Sequence, residues 1–468
     1  MSGTNDMHRR DFMTSSGVAL GLGFLGLQRV VQQAAAGTGT LASDYGPLKT
    51  DPSGVIDLPE GFSYSVFSLN GEEMDDGLLV PGLHDGMAAF PIDATTCLLV
   101  RNHEVNSGHE PRYGPFGLQN ERLGNVPPEL LYDPGTESGT PSLGGTTSVL
   151  FDLKQQKLMR HWLSLAGTGH NCAGGPTPWN TWLSCEEWTQ RADDRHLRDH
   201  GYAFEVPVTS EPALCTPRPL TDMGRFYREA VAIDPSTGIV YQTEDRQDSV
   251  LYRFIPDVPG SLHEGGRLQV LAIADQDQFD TRNWNHDGTD MMLLGQTLPV
   301  CWLDIDDVES PLDDLRYRAY DMGAARFARS EGIWMGEGAL HFVCTTGGRA
   351  QLGQIFTYTP SPDEGGPTER SSPGTLNLFV ETNDGSLVNN ADNITVAPVG
   401  DLFVCEDGGG SNGMARVTPD GVVTRFAENR MNDSELAGPC FSPDGSTLFV
   451  NIQRPGLTIA ITGPWRSA

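Results

Sequence analysis

Residues 171–188 read NCAGGPTPWNTWLSCEEW and combine a turn, a short strand and a pair of acids. Cys172 precedes a Gly-Gly turn, and the apolar run at residues 181–184 is followed closely by Glu186 and Glu187. Glycine readily adopts the backbone angles of a tight turn, and a short apolar run bounded by turn residues is typical of a buried strand. The segment therefore predicts a hairpin that ends on carboxylates.

The same order of a short strand and a polar or acidic end recurs along the chain. It occurs in six segments, at residues 97–104, 182–187, 239–245, 340–346, 402–407 and 448–453. Turn residues precede several of them, as in DPSTG at 234–238 and SPDG at 442–445. The repeated unit is therefore a hairpin, and a propeller blade of four strands needs about 40 to 50 residues. The pattern predicts an all-β fold, namely a six-bladed β-propeller with long loop insertions.

In such a ring the inner ends of the strands converge on the axis, so acids far apart in the sequence would meet in one pocket. The alternative is that each acid only caps an exposed strand end. The long insertions are expected at residues 106–145 and 257–330. Within the second, residues 324–332 predict a short helix that runs into a loop and presents Arg329 and Glu331.

The chain is strongly acidic, with 62 Asp and Glu against 31 Lys and Arg, for a formal net charge of −31. This charge opposes binding to nucleic acids and to anionic membranes, because there are too few basic groups to neutralise phosphates. It would attract multivalent cations. Solubility outside the cytoplasm explains many of the charges equally well.

The N-terminal residues resemble a targeting segment. Arg9 and Arg10 precede a Gly-rich apolar run at residues 17–27, and residues 34–36 are a candidate cleavage site, which together indicate a twin-arginine signal over residues 1–36. The run is shorter than the roughly 20 apolar residues of a membrane span, so stable membrane anchoring after cleavage is not expected. We expect a partnership with the twin-arginine export machinery and a periplasmic or extracellular location. Domain boundaries follow in the same order: signal peptide 1–36, linker 37–55 and a single propeller domain 56–468, expected to be a monomer.

The positions of the eight cysteines in the sequence favour reduced thiols over disulfides. Four lie within or at the ends of apolar strand runs, at Cys97, Cys185, Cys344 and Cys405, where a thiol packs as a small apolar group. Cys172 differs, because its Gly-rich turn suits a metal ligand better than a core position.

Two histidine-containing segments resemble exposed loops. His84 and Asp85 are a weak metal candidate, because two adjacent residues offer few ligands and an exposed pair is the simpler interpretation. His196, Arg198 and His200 belong to a charged run that predicts a solvated loop.

Seven segments occur in an order that resembles the PhoX family of exported bacterial phosphatases. They are LPEGF at 58–62, RNHE at 101–104, the block from NCAGG to CEE at 171–187, RFYREA at 225–230, FARSEG at 327–332, the segment 392–402 and FSPDGSTLFVNIQ at 441–453. The resemblance covers most of the chain, and the block at 171–187 is its most specific part. Arg228 and Ser330 depart from the family pattern, which has His and Pro there.

The resemblance implies a six-bladed propeller that hydrolyses phosphomonoesters at an axial cluster of Ca2+ and Fe3+. It implies a small-molecule phosphoester as the substrate, and a metal-ligand set of carboxylates and one cysteine. The expected ligands are Cys172, Glu187, Glu229, Glu331, Asp392, Glu406 and Glu104. Arg329 is expected to clamp the phosphate.

The chemistry of these residue types is consistent with that expectation. Calcium takes about six to eight oxygen ligands, and iron accepts a thiolate beside carboxylates. Buried acids that lie close together raise one another's pKa, so a cage of them needs cations. The sequence has no G-x-S-x-G elbow and no Walker loop, so a protein nucleophile is not expected.

Two other functions remain open at this point. One is a calcium-dependent hydrolase of the lactonase type, for which His103 or His170 would serve as the base. The other is a non-catalytic propeller scaffold that binds calcium only for stability.

Overall fold

The six apolar runs that end on polar residues all form strands, and each is the second strand of a hairpin. The computed structural model describes residues 45–284 and 291–466. In chain order the strands of these ranges are β1 (Leu48–Lys49), β2 (Ile56–Pro59), β3 (Ser63–Phe67), β4 (His84–Pro91), β5 (Thr96–His103), β6 (Gly144–Asp152), β7 (Lys157–Thr168), β8 (Asn171–Pro176), β9 (Thr181–Glu186), β10 (Ala203–Pro207), β11 (Arg228–Ile233), β12 (Val240–Glu244), β13 (Tyr252–Pro256), β14 (Gly266–Ile273), β15 (Thr297–Asp304), β16 (Ser330–Met335), β17 (Leu340–Cys344), β18 (Gln354–Thr359), β19 (Thr375–Glu381), β20 (Ala391–Val396), β21 (Leu402–Glu406), β22 (Gly413–Val417), β23 (Val423–Asn429), β24 (Leu436–Phe441), β25 (Thr447–Ile452) and β26 (Leu457–Thr462).

The α-helix of the described residues, α1, spans Leu315–Asp321. Single 3-10 turns lie at Pro111–Tyr113, Leu123–Asn125, Pro128–Leu130, Thr221–Met223, Leu262–Glu264 and Glu369–Ser371. The helix expected at residues 324–332 is wrong. Residues 324–328 are instead extended, and their apolar side chains are all buried, which a single helix face would not achieve.

Hydrogen bonds join the strands of the described residues into five sheets. Their strand orders are β4-β5-β6-β7, β10-β9-β8, β24-β25-β26-β3, β1-β2-β23-β22-β21-β20 and β11-β12-β13-β14-β15-β19-β18-β17-β16. The predicted all-β, propeller-like fold is confirmed, but the predicted count of six does not match these five sheets. The physical reason is β15, which pairs with both β14 and β19 and so merges two groups of strands into one sheet.

Six of the described strands line the centre of the molecule, and we call them the inner strands. They are β4, β8, β11, β16, β20 and β24, and each contacts the next in this order, with β24 returning to β4. Each is followed by the second strand of its hairpin, which pairs with it antiparallel. The acidic ends of all the hairpins therefore face one axis.

The N-terminal strands close the ring against the C-terminal ones. β3 pairs with β26, with Val66 opposite Ile459, and β2 pairs with β23. β1 pairs with β2, so strand structure begins at Leu48, within the segment expected to be a linker. The predicted signal, residues 1–36, lies outside the described residues. No helix within residues 45–284 and 291–466 has the length and apolar character of a membrane span.

Aromatic packing reinforces this closure. The ring of Phe67 in β3 lies 4.8 Å from the ring of Phe151 and 6.2 Å from that of Phe449, between centroids. Phe67 is 7% exposed, and the three rings come from three different parts of the chain. Burial of these rings links the first strands to the last and to the first inner hairpin.

Replacing Phe67 by alanine is expected to lower the free energy of unfolding by about 3 to 5 kcal/mol, because it leaves a cavity between two sheets. Leu69 lies in the same segment but is 39% exposed, and Leu69→Ala is expected to cost less than about 0.5 kcal/mol. Urea denaturation followed by circular dichroism measures both. Equal, small losses for the two variants would contradict closure of the ring by β3.

Candidate metal centre

Every inner strand carries a β-bulge at its end nearest the axis. The register shifts lie between His84 and Met87, Asn171 and Gly174, Arg228 and Val231, Ser330 and Ile333, Ala391 and Ile394, and Ala437 and Cys440. A bulge adds one residue and changes the direction of its side chain. In five inner strands the residue after the start of the bulge bears an acid or a thiol: Asp85, Cys172, Glu229, Glu331 and Asp392. In β24 the bulge begins at the second residue of the strand instead of the first. Ala437 and Gly438 stand there, and neither has a side chain that could bind a metal.

A backbone hydrogen bond then fixes a second position in every hairpin. The N–H of a residue just after the second strand donates to the carbonyl of the residue just before the inner strand. The N···O distances of the six pairs lie between 2.9 and 3.3 Å, and the pairs are Glu104 to Leu83, Glu187 to His170, Asp245 to Tyr227, Thr345 to Arg329, Asp407 to Asn390 and Gln453 to Glu435. Four of the donors are acids, and Glu435 adds another acid among the acceptors.

Together these positions form what we call the axial cluster. Its members are Asp85, Glu104, Cys172, Glu187, Glu229, Asp245, Glu331, Asp392, Asp407 and Glu435. Three overlapping groups at the axis have ligand atoms within 4.8 Å of one another, and they are Asp85–Glu104–Cys172, Glu104–His170–Glu187 and Cys172–Glu187–Glu229. Six of the seven acids and thiols expected as ligands lie in the axial cluster, and Glu406 does not.

Hydrogen bonds link several members of the axial cluster around Cys172 and Glu104. The Cys172 thiol donates to Glu229 Oε1 at 3.1 Å. Gln453 Nε2 donates to Glu104 Oε2 at 2.6 Å and to Asp85 Oδ2 at 3.3 Å. The uncharged Gln453 therefore holds two acids in place without neutralising either.

The acids of the axial cluster disfavour one another's ionisation. Burial, followed by the negative charges of neighbouring acids, raises the pKa of Glu187, Glu229 and Glu435 well above its usual value. Burial and the charge of Asp392 raise the pKa of Asp407 to about 6. Burial and the charge of Asp85 raise the pKa of the Cys172 thiol well above its usual value. The arrangement therefore favours binding of cations.

Arg329 lies against one side of the axial cluster, where it was expected. Its Nε lies 2.8 Å from Asp245 Oδ1, and its Nη2 lies 2.6 Å from Glu331 Oε1 and 3.5 Å from Asp407 Oδ2. Burial alone would lower the pKa of Arg329, but the charges of Glu331 and Asp245 outweigh it and raise that pKa. Three acids thus hold a permanently charged guanidinium at the mouth of the site.

His170 takes the same place in its hairpin as Arg329 does, on another side of the mouth. Its Nδ1 lies 3.6 Å from Glu104 Oε1 and 3.6 Å from Glu187 Oε2. The ring of His109, from the insertion after β5, stacks on it with 6.3 Å between centroids. His103 is buried elsewhere, where it bonds the Gly82 carbonyl and the Thr147 hydroxyl. Of the two histidines expected as possible bases, only His170 reaches the axial cluster.

Glu406, expected as a ligand, does not lie in the axial cluster. Its carboxylate accepts the backbone N–H groups of Asn389 and Gly413, each at 2.8 Å, and pairs with Arg425. It is the last residue of β21 and bonds to residues at neighbouring strands of its own sheet, whereas Asp407, the next residue, belongs to the axial cluster. The alternation of side chains along a strand explains the difference.

Two other pairs of acids divide in the same way. Glu186 accepts backbone N–H groups of Gly169 and Gly201, and Glu244 accepts the Tyr252 hydroxyl, while Glu187 and Asp245 join the axial cluster. The second acid of each pair is therefore the one that reaches the site.

Of the two segments expected as exposed loops, the first is a buried strand, and the second is a loop in which Arg198 is exposed but His200 is buried. His84 and Asp85 are buried in β4, where His84 bonds the Pro81 carbonyl. His200 is buried between Glu186, at 2.6 Å, and Asp133, at 3.2 Å. Burial alone would lower the pKa of His200, but these carboxylates raise it to about 9.

Arg228 and Ser330, which depart from the family pattern, make hydrogen bonds within the fold and do not belong to the axial cluster. Arg228 is fully buried and donates to Gln242 Oε1 at 2.9 Å and to the Gly201 carbonyl at 3.0 Å. Ser330 bonds the hydroxyl of Ser249 at 2.9 Å.

Asp85, Asp245, Asp407 and Glu435 are members of the axial cluster that the sequence reasoning did not select. Two of them were findable, since Asp245 and Asp407 are the second acids of strand-end pairs, as Glu187 is. Asp85 depends on a bulge that no residue pattern marks, and Glu435 depends on ring closure.

A family model described as alkaline phosphatase PhoX matches residues 43–143 and 136–456. Among solved structures, PhoX from Pseudomonas fluorescens in complex with vanadate, a transition state analogue, aligns with a TM-score of 0.65 and 19% identity, over 90% of this chain and 98% of that one. At this identity the likeness establishes the fold. A gluconolactonase from Xanthomonas campestris aligns with a TM-score of 0.36 and 14% identity, over 90% of this chain and 98% of that one, which is too weak to support an argument. The comparison with curated proteins gave no match.

Two isosteric substitutions separate the site from its support. Glu331→Gln is expected to weaken calcium binding, measured by titration calorimetry, by about tenfold or more, because it removes one charge from the ligand set. Glu406→Gln is expected to leave calcium affinity within about twofold but to lower the free energy of unfolding by about 3 kcal/mol, because Arg425 loses its buried partner. The reverse pattern, with calcium affinity lost in Glu406→Gln only, would contradict the placement of these acids.

Metal-free protein is expected to lose stability as pH rises. Burial and nearby acids raise the pKa of Glu331 in the folded state well above the ordinary 4.5, and those of Glu187 and Glu229 are raised likewise, so the folded protein binds more protons than the unfolded chain does. The protonated acids therefore contribute their full stability below the unfolded-state pKa of about 4.5, and this contribution is lost as the pH rises toward the folded-state pKa. The urea concentration at the unfolding midpoint of metal-free protein should therefore decrease as the pH rises from about 5 to about 8. Saturating calcium should make this midpoint nearly independent of pH. A metal-free midpoint that is equal or higher at the upper pH would contradict the mutual repulsion of these acids.

Proposed function

Because the chain belongs to the alkaline phosphatase PhoX family, it is a phosphomonoesterase, and we propose that it releases inorganic phosphate at the axial cluster. One observation carries this location. The acids of all the hairpins converge with Cys172 beside the guanidinium of Arg329, which is the group best suited to a phosphate. A phosphate dianion is stabilised by positive charge, and the acids would bind the cations that supply this charge.

We propose that the axial cluster binds Ca2+ and Fe3+. Its donors fit this pair, because carboxylate oxygens suit calcium and a thiolate beside carboxylates suits iron. Cys172 lies within 4.8 Å of two such groups of acids. Its thiol needs an adjacent cation to ionise, since burial and nearby acids raise its pKa.

The proposed ligands follow from position in the hairpins. They are Cys172, Glu187, Glu229, Glu331, Asp392 and Glu104, as the sequence indicates, joined by Asp85, Asp245, Asp407 and Glu435. Bound there, the metals would supply Lewis acidity and an activated water. The chain's own groups must then place and orient the substrate.

Arg329 is the residue that would position the phosphate. Asp245 holds its Nε and Nη2 edge at 2.8 and 3.1 Å, which fixes the plane of the guanidinium. The remaining N–H groups would donate to phosphate oxygens in a direction set by this plane. Because Glu331 shares Nη2, the same arginine would link the phosphate to the ligand set.

We also propose the finer features that the sequence indicates. Residues 1–36 would be a twin-arginine signal and residues 37–55 a linker whose last part, from Leu48, pairs with the domain. Residues 56–468 would be one propeller domain that functions in the periplasm or outside the cell as a monomer. The nine-stranded sheet would act as two blades joined through β15, so that six blades surround the axis.

The purified protein is expected to release phosphate from p-nitrophenyl phosphate at alkaline pH when calcium is present. Chelation or Cys172→Ala should abolish turnover, because each removes part of the metal site. Cys440→Ala is the matched control, since Cys440 is also buried but packs in an apolar core away from the axial cluster. A colorimetric phosphate assay measures all four conditions.

Full activity of Cys172→Ala would remove this thiol from the mechanism. Hydrolysis of gluconolactone without any release of phosphate from phosphomonoesters would favour the lactonase alternative. Stabilisation by calcium with no turnover of either substrate would favour the scaffold.

A further inference from the structure

Tyr227 and Arg246 form a stacked pair at the mouth of the axial cluster. Tyr227 occupies the place in its hairpin that His170 and Arg329 occupy in theirs, since its carbonyl accepts the Asp245 N–H at 3.1 Å. The guanidinium carbon of Arg246 lies 3.6 Å from the centroid of the Tyr227 ring. The pair is thus joined through the backbone to Asp245, an acid of the axial cluster.

This pair adjoins the residue proposed to bind phosphate. The N–H of Arg329 donates to the carbonyl of Arg246 at 2.8 Å, so the two arginines leave the backbone side by side. A group bound on Arg246 would therefore lie within reach of a phosphate bound on Arg329.

Only part of the Arg246 guanidinium is occupied. Tyr227 covers one face, and Asp313 pairs with Nη2 at 3.3 Å, yet the Arg246 side chain remains 28% exposed. A guanidinium plane stacks on aromatic rings on both faces, and its edge charge here is already paired with Asp313. The remaining face is suited to a flat ring more than to a second anion.

The opposite side of the mouth offers a different surface. The equivalent places in three other hairpins hold Leu83, Asn390 and Glu435, none of which presents a planar cation. His170 stacks on His109, but its Nδ1 lies between two acids of the axial cluster, at 3.6 Å from each. Among these hairpin positions, the one beside Arg246 therefore presents a planar surface that is not directed at the metal ligands.

We propose that the open face of Arg246 is a subsite for the leaving group, and that it selects phosphomonoesters whose alcohol carries a planar aromatic ring, such as a nucleobase. This proposal rests on the proposed phosphomonoesterase function. The subsite would bind the alcohol that leaves, whereas the axial cluster and Arg329 would bind the phosphoryl group.

Adenosine 5′-monophosphate and ribose 5-phosphate provide a matched test, because they share the phosphate ester and differ in the base. The ratio of their kcat/KM values should be about tenfold in favour of the nucleotide, as expected for one stacking contact. In Arg246→Ala and in Arg246→Lys the ratio should fall to about one, since lysine keeps the charge but lacks the plane. Arg267→Ala, on β14 and away from the axial cluster, should keep the ratio of the wild type.

Several outcomes would overturn the proposal. They are a wild-type ratio near one, a ratio that survives in Arg246→Ala, full rescue by lysine, and a ratio lost in His109→Ala but kept in Arg246→Ala. Failure of the underlying function is distinguishable, because the wild-type protein would then hydrolyse neither ester.

Discussion

One backbone hydrogen bond, repeated in each hairpin, is the constraint on which the site depends. It ties the residue after the second strand to the residue before the inner strand, as in Asp407 to Asn390 at 2.9 Å. With the adjacent bulge, it brings side chains from both strands to the axis. The resulting carboxylates repel one another, and burial raises the pKa values of most of them. The ring supplies the rigidity that holds the acids together, and bound cations are needed to balance their charge.

The acids of this chain divide into two kinds by position alone. The last residue of a second strand, such as Glu186 or Glu406, accepts backbone N–H groups at the ends of neighbouring strands of its own sheet. The next residue, such as Glu187 or Asp407, turns to the axis. Acids at the last position of the second strand therefore stabilise the hairpins, and acids one residue later form the site. The strong negative charge of the chain is in part a consequence of this division.

Much of the fold could be predicted because its determinants are local. The apolar runs and their turn residues identified every second strand, and Cys172 beside a Gly-Gly turn marked the most specific part of the site. The predicted count of six blades does not match the five sheets, because β15 pairs across two groups of strands, a long-range contact that no local pattern records. Glu406 was chosen over Asp407 because the sequence gives no exact strand end, and a shift of one residue reverses the direction of the side chain. Asp85 was missed because a bulge turns a strand residue toward the axis.

The most direct test of this account is elemental analysis of the protein purified from its exporting host without chelators. The account predicts stoichiometric calcium together with iron, and it predicts that a crystal of the same preparation shows them bound among Cys172, Glu187, Glu229 and Glu331. A folded, stable and active protein that carries no multivalent cation would contradict it, because the buried acids would then be held together without the charge that they require.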